Sequence, residues 1–195
     1  MLKKKILELI DSLHELHGDD YKNEIENIAE LLYRKLSSNS GTLYTIGNGG
    51  SAADSQHFVT ELIVRFSKNR RSLPAIALTT DSSVITAAGN DLGFDKIFSR
   101  QLEGVLKSND ILFSFSTSGQ SKNIINAVDF ANKVGATTIS LTGKNENKLS
   151  KISNYYLLCP SHKTDNIQTL NQVIYHYICD YIDQKLLTRA HSSIG

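Results

Sequence analysis

Apolar residues in the first forty positions recur at helical spacing. They are Leu2, Ile6, Leu9, Ile10, Leu13 and Leu16, then Ile25, Ile28, Leu32 and Leu36, with Gly18-Asp19-Asp20 breaking the series. The pattern predicts two amphipathic helices, an N-terminal helical hairpin over 1–40. Its apolar stripes must be covered by the body of the domain or by another subunit. From residue 42 the period changes. Strand-like runs at 42–46, 74–78, 110–115, 136–141 and 154–158 alternate with helical stretches at 51–66, 83–106 (broken near Gly93) and 121–134. Such alternation predicts an α/β fold, a mainly parallel sheet with helices on both faces. Asp165 to about Leu187 reads as a long terminal helix. Leu170, Val173, Ile174, Tyr177, Ile178, Tyr181 and Ile182 spread over more than one face of it, so it is buried or lies in an interface. Pro74 and Pro160 stand at strand edges.

A chain of 195 residues suits one domain with a core that needs no disulfides. The hairpin is part of that domain and supplies oligomer contacts, and 41–190 forms its body. The formal net charge of +1 gives no reason to expect a nucleic-acid surface. Lys68, Arg70 and Arg71 form one basic cluster, read as a solvated loop after a helix. Cys159 and Cys179 lie among apolar residues without metal-type spacing, and read as buried free thiols of a reduced compartment. The N-terminus starts like a signal peptide, but Glu8, Asp11 and Glu15 interrupt any apolar stretch. No apolar run is long enough to span a bilayer. A cytoplasmic protein with no membrane partner is expected.

The chemistry collects at strand ends. Leu43, Tyr44 and Ile46 form a buried strand, Gly47-Asn48-Gly49-Gly50 the turn that ends it, and Ser51 a helix N-cap. Glycines let backbone amides approach a ligand closely at the positive end of a helix. His57 and Glu61, four apart, project from one face of that helix and can chelate a divalent metal or share a proton transfer. Alone they would be an ordinary surface pair, and the adjoining turn makes them a site candidate. Thr79-Thr80-Asp81-Ser82-Ser83 reads equally as a helix cap, and Thr142-Gly143-Lys144 as a plain loop.

Ser116-Thr117-Ser118-Gly119-Gln120-Ser121 is the strongest ligand loop. Hydroxyls, a glycine and helix-terminal amides form a nest for a phosphate monoester, and the Gly-Lys-Ser/Thr of a nucleoside-triphosphate loop is missing. In the terminal helix, Gln168 and His176 lie eight residues apart, a rise of about 12 Å. For one metal to hold both, the helix must be irregular or a second subunit must contribute. His14, His17, His162 and His191 read as surface.

These clusters, in this order, closely resemble the phosphoheptose isomerases of the sugar-isomerase (SIS) fold. The matching stretches are Gly47–Asp54, Gln56–Phe58, Glu61-Leu62, Ala75–Ser83, Gly89–Asp91, Gly93-Phe94, Phe98–Gln101, Ser116–Gly119, Leu141–Lys144 and Ile167-Gln168 with His176, spread over about 21 to 185. The resemblance implies a flavodoxin-like five-stranded parallel sheet and a homotetramer with active sites at subunit interfaces. It implies substrate contacts from Asn48, Gly49, Gly50, Glu61, Asn90, Asp91, Ser116, Thr117, Ser118, Ser121 and Gln168. It also implies one zinc ion per subunit at His57, Glu61, Gln168 and His176. The implied reaction converts sedoheptulose 7-phosphate to D-glycero-D-manno-heptose 7-phosphate through an enediol, with Glu61 as base and His176 as acid. The chain departs from the family pattern at Thr169, usually acidic, Asn171, usually histidine, Asn166, often arginine, and Gln120, usually asparagine. A rival reading is a non-catalytic relative that associates with the replication initiator DnaA. Another is a phosphosugar-sensing module, which usually accompanies a DNA-binding segment that this chain lacks. Glu61 together with His176 favours the enzyme.

Overall fold

The structure is a computed structural model. It describes residues 1–192, with side chains through Thr188, so the side chain of His191 lies outside the described residues. Five strands form one parallel sheet in the order β2-β1-β3-β4-β5: β1 (Leu43–Gly47), β2 (Ala75–Ala77), β3 (Ile111–Ser116), β4 (Thr137–Thr142) and β5 (Tyr155–Leu158). This is the flavodoxin-like order expected. Parallel strands need crossovers, and helices supply them. After β1 comes α3 (Gly50–Ile63), and after β2 come α4 (Ser82–Asp91), a 3-10 turn (Phe94–Lys96) and α5 (Ser99–Val105). After β3 comes α6 (Lys122–Val134), and after β4 the short α7 (Lys148–Ile152). Two helices precede the sheet, α1 (Leu2–Leu16) and α2 (Asp19–Ser37), and α8 (Thr164–Ser192) follows it.

Successive residues of a strand point to opposite faces, and the core divides accordingly. Ile111, Phe113 and Phe115 of β3 pack with Leu32 and Leu36 of α2, Phe58 and Leu62 of α3, and Leu170, Ile174, Tyr175 and Ile178 of α8. Leu112 of β3 joins Tyr44 and Ile46 of β1 on the other face, against Phe98, Leu102, Ile124, Val128 and Ala131. The N-terminal segment is thus split in its role. Helix α2 is a wall of the core, whereas α1 leaves Leu2, Ile6, Leu7 and Ile10 exposed and is tied down by the ion pairs Lys5–Asp165, Glu8–Lys163 and Glu15–Lys144. Cys159 and Cys179 are free and buried, and burial pushes the Cys159 thiol up to about 12. Among the described residues, no helix is long and apolar enough to cross a membrane.

Three details differ from the expectation. Helix α3 starts at Gly50 with Gly49 as its cap, because Gly49 takes φ +56 and turns the chain two residues before Ser51. Helix α7 went unseen because five residues are too few to show a period. It is opened by a capping box in which the Asn147 side chain accepts from the Ser150 amide at 3.0 Å.

The basic cluster is the third. Arg70 is 4 % exposed and Asp183 fully buried, with Arg70 Nε donating to Asp183 Oδ1 at 2.7 Å. The same guanidinium donates to the Leu62 and Glu61 carbonyls at 2.7 Å each, closing the end of α3. Arg71 does the same for α2 through the Leu36 carbonyl at 3.2 Å. Helix ends leave carbonyls unpaired, and a guanidinium with five donors can satisfy several at once. Lys68 and Arg71 are exposed, as expected, and Arg70 is the member whose side chain is buried.

Removing one partner of a buried pair strands the other charge. Asp183→Ala should cost about 3–5 kcal/mol of unfolding free energy in urea. A loss below about 1 kcal/mol would show that the pair is dispensable.

Candidate active site

In an open parallel sheet a ligand crevice forms where neighbouring strands send their connections to opposite faces. Here that point lies between β1 and β3, and the glycine turn and the Ser/Thr loop stand on its two sides. Helix α3 leaves β1 with Gly49 as cap, and α6 leaves β3 with Ser121 as cap. Neither makes a side-chain capping bond. Two helix N-termini therefore face one crevice: the Ser51, Ala52 and Ile124 amides bond within the chain, and those of Gly50, Lys122 and Asn123 make no hydrogen bond among the described residues, an arrangement that favours an anion.

An amide pair ties the two sides together. Asn48 Nδ2 donates to Asn123 Oδ1 at 2.9 Å, and Asn123 Nδ2 donates back to Asn48 Oδ1 at 2.8 Å. Asn123 is buried and was not singled out from the sequence. Its signal was a lone polar residue at the start of an apolar helix, beside Ile124 and Ile125.

The Ser/Thr loop is braced from within and from below. Ser116 Oγ accepts from the Gly119 amide at 3.2 Å, and Ser118 Oγ from the Gln120 amide at 3.2 Å. The half-buried hydroxyls of Thr117 and Ser121 make no hydrogen bond among the described residues, which leaves them for a ligand. Gly119 has φ +60, and a Cβ there would fall 2.0 Å from Asn147 Oδ1. The Leu149 amide also donates to the Gly119 carbonyl at 3.2 Å. Helix α7 is thus the floor of the loop. A cavity of about 250 Å³ opens beside it, lined by Thr117, Ser118, Lys144 and His162 among others. A larger one, about 630 Å³, lies around Gly41, Arg71 and Asp110 at the amino ends of the strands, away from these groups.

The titratable cluster lies between α3 and α8. His57 Nε2 is 3.1 Å from Glu61 Oε1 and 3.5 Å from His176 Nε2, and the ligand atoms of all three lie within 4.8 Å of one another. His176 stacks on Phe66 with centroids 5.3 Å apart. Burial, then the neighbouring His57, holds its pKa below the ordinary imidazole value, so it is neutral at neutral pH. Tyr175 Oη lies 2.9 Å from His57 Nδ1.

The structure brings three of the four expected metal ligands together. Gln168 is held two turns earlier on α8, against Gly50, where an added Cβ would lie 2.3 Å from Gln168 Nε2. Helix α8 is α-helical throughout, so within one subunit the 12 Å rise between Gln168 and His176 stands. Asn90 and Asp91 are exposed at the end of α4, with Asn90 Nδ2 donating to Asp91 Oδ1 at 2.7 Å. Among the described residues no hydrogen bond links them to either loop. Asp81 caps α4 by accepting from the Val84 amide at 2.9 Å, the plainer of its two readings.

The sequence profile of the SIS domain family matches residues 6–143. The phosphoheptose isomerase of Sulfurimonas denitrificans is 43 % identical over 190 residues, covering 95 % of this chain and 97 % of that one. The chain belongs to the phosphoheptose isomerase family. A solved phosphoheptose isomerase from Neisseria gonorrhoeae superposes with TM-score 0.86 at 36 % identity, over 94 % of this chain and all of that one. One from Francisella tularensis gives 0.89 at 35 %, over 94 % and 96 %.

The departures from the phosphoheptose isomerase pattern have local accounts. Asn171 is fully buried, donating to Asp54 Oδ2 at 3.3 Å and accepting from Cys159 Sγ at 3.3 Å. The Thr169 hydroxyl turns back onto the Asp165 carbonyl at 3.0 Å. Asn166 is buried at the start of α8, and Gln120 is exposed.

Gly119→Ala forces a left-handed backbone on a residue with a side chain and displaces Asn147. It should cost about 1–3 kcal/mol in urea unfolding. It should also weaken binding of inorganic phosphate about tenfold by calorimetry, or 1.4 kcal/mol. Unchanged phosphate affinity would remove the loop from the site.

Proposed function

We propose that this protein is an aldose–ketose isomerase that converts sedoheptulose 7-phosphate to D-glycero-D-manno-heptose 7-phosphate, the first step of nucleotide-activated heptose synthesis. The observation that carries the reading is the cluster of His57, Glu61 and His176 in a chain of this family that also has a phosphate nest beside the sheet.

Phosphate binding by Ser116, Thr117, Ser118, Ser121 and the α6 amides anchors the far end of the sugar. That binding energy positions the reacting end. Asn48, Gly49, Gly50, Asn90, Asp91 and Gln168 contact the sugar chain. Glu61 removes a proton from C1 and returns it to C2, and His176, neutral at neutral pH, passes the proton between the two neighbouring oxygens. Glu61 has two oxygens: Oε1 faces the histidines, which leaves Oε2 for the carbon-bound proton.

The cluster fits one zinc ion per subunit by its chemistry. Two imidazoles and a carboxylate are the donors of a catalytic zinc site that keeps a position open. Zinc there would polarise the carbonyl and stabilise the charge of the enediolate. Gln168 would be the fourth ligand, supplied most simply by a neighbouring subunit, and within its own subunit it serves the substrate beside Gly50. The exposed Leu2, Ile6, Leu7 and Ile10 on α1, and Val173 and Tyr177 on α8, support a homotetramer with interfacial sites. The two free buried thiols support a cytoplasmic location.

Purified, zinc-loaded protein should isomerise sedoheptulose 7-phosphate. Glu61→Gln and His176→Ala should each lower kcat by about a hundredfold or more with the fold intact by circular dichroism. Chelation should abolish turnover and zinc should restore it. A wild type that binds the phosphosugar without turning it over would instead place the chain with the non-catalytic, DnaA-associating branch.

A further inference from the structure

Tyr175 precedes His176 in α8, and none of its surface reaches solvent. Its ring stacks on Phe58 (centroids 5.6 Å, 26°) and meets Phe115 edge-on (6.1 Å, 85°), so packing fixes its position. The hydroxyl crosses to α3, and its hydrogen bond among the described residues is the 2.9 Å contact with His57 Nδ1. A buried hydroxyl is costly to leave unpaired, so this contact favours one orientation of the imidazole. The other ring nitrogen, Nε2, is thereby turned to Glu61 Oε1 and His176 Nε2.

A neutral imidazole has one N–H and two nitrogens to carry it. In the tautomer that carries the hydrogen on Nε2, Nε2–H donates to Glu61 Oε1 and the Nδ1 lone pair accepts from Tyr175. With a metal on Nε2, the hydrogen must sit on Nδ1, and Nδ1–H then donates to the Tyr175 oxygen. A hydroxyl can serve both states because it donates and accepts. A carboxylate or carbonyl in its place would only accept, and would hold His57 in the metal-ready tautomer throughout.

We propose that Tyr175 is the positioning residue for His57: its hydroxyl sets the ring with Nε2 facing Glu61 and His176, and reverses from donor to acceptor when Nε2 takes a metal ion. This rests on the reading of His57, Glu61 and His176 as metal ligands.

Tyr175→Phe keeps the packed ring and removes the hydroxyl. Zinc affinity of the full chain, measured by competition with a chelating dye, should fall about ten- to a hundredfold. Long-range proton–nitrogen NMR should show His57 of the metal-free wild type as the Nε2–H tautomer and of the zinc-loaded protein as Nδ1–H. The metal-free variant should show a mixture. Zinc affinity within about twofold of wild type, with His57 signals unchanged, overturns the proposal. If the variant does not fold, the wild-type tautomers decide, and Nδ1–H in the metal-free protein overturns the reversal. Wild type that binds no zinc, or binds it equally as His57→Ala, sinks the metal reading and the reversal with it. The metal-free tautomer comparison then still decides whether Tyr175 orients the ring.

Discussion

The contact on which the site depends is the buried pair of Arg70 and Asp183. It joins the end of α3, where Glu61 sits, to the second half of α8, downstream of His176. Both carboxylate oxygens are used, since the Ser67 and Lys68 amides donate to Asp183 Oδ2 at 3.0 and 3.1 Å. An ion pair in the interior repays its desolvation only when such extra bonds complete it. Here the completed set also closes α3 and fixes the distance between the helices that hold the three titratable groups.

The crevice at β1 and β3 works on a similar plan with neutral groups. Asn48 and Asn123 exchange amide bonds across the point where the sheet's connections part, so neither loop can move without the other. Asn147 and Leu149 fix the second loop from below. The candidate phosphate loop and the titratable cluster are therefore placed by two separate struts, one of neutral amides, the other charged and buried.

Much of this was written locally in the chain. Apolar runs marked each strand, and the His57–Glu61 pair was visible because both residues ride one helix four apart. The candidate phosphate loop stood out because turn, hydroxyls and helix start are contiguous. What stayed hidden are pairings over long sequence separations. Arg70 finds its partner 113 residues on, and Asn48 finds its own 75 residues on. No local period encodes either, and a charged cluster after a helix looks solvated until the fold supplies a buried carboxylate. The eight-residue spacing of Gln168 and His176 did carry a geometric warning, and α8 runs between them without an irregularity.

Helix α8 presents Gln168, Asn171, Tyr175, His176 and Asp183 from a single rod, to Gly50, Asp54, His57 and Arg70. One inserted or deleted residue rotates everything beyond it by about 100°. Such a change between Gln168 and Asp183 would misdirect several of these groups together, however mild the residue itself. This helix therefore tolerates a change of residue more readily than a change of length. Its spacing is a ruler, and the active site is read off its marks.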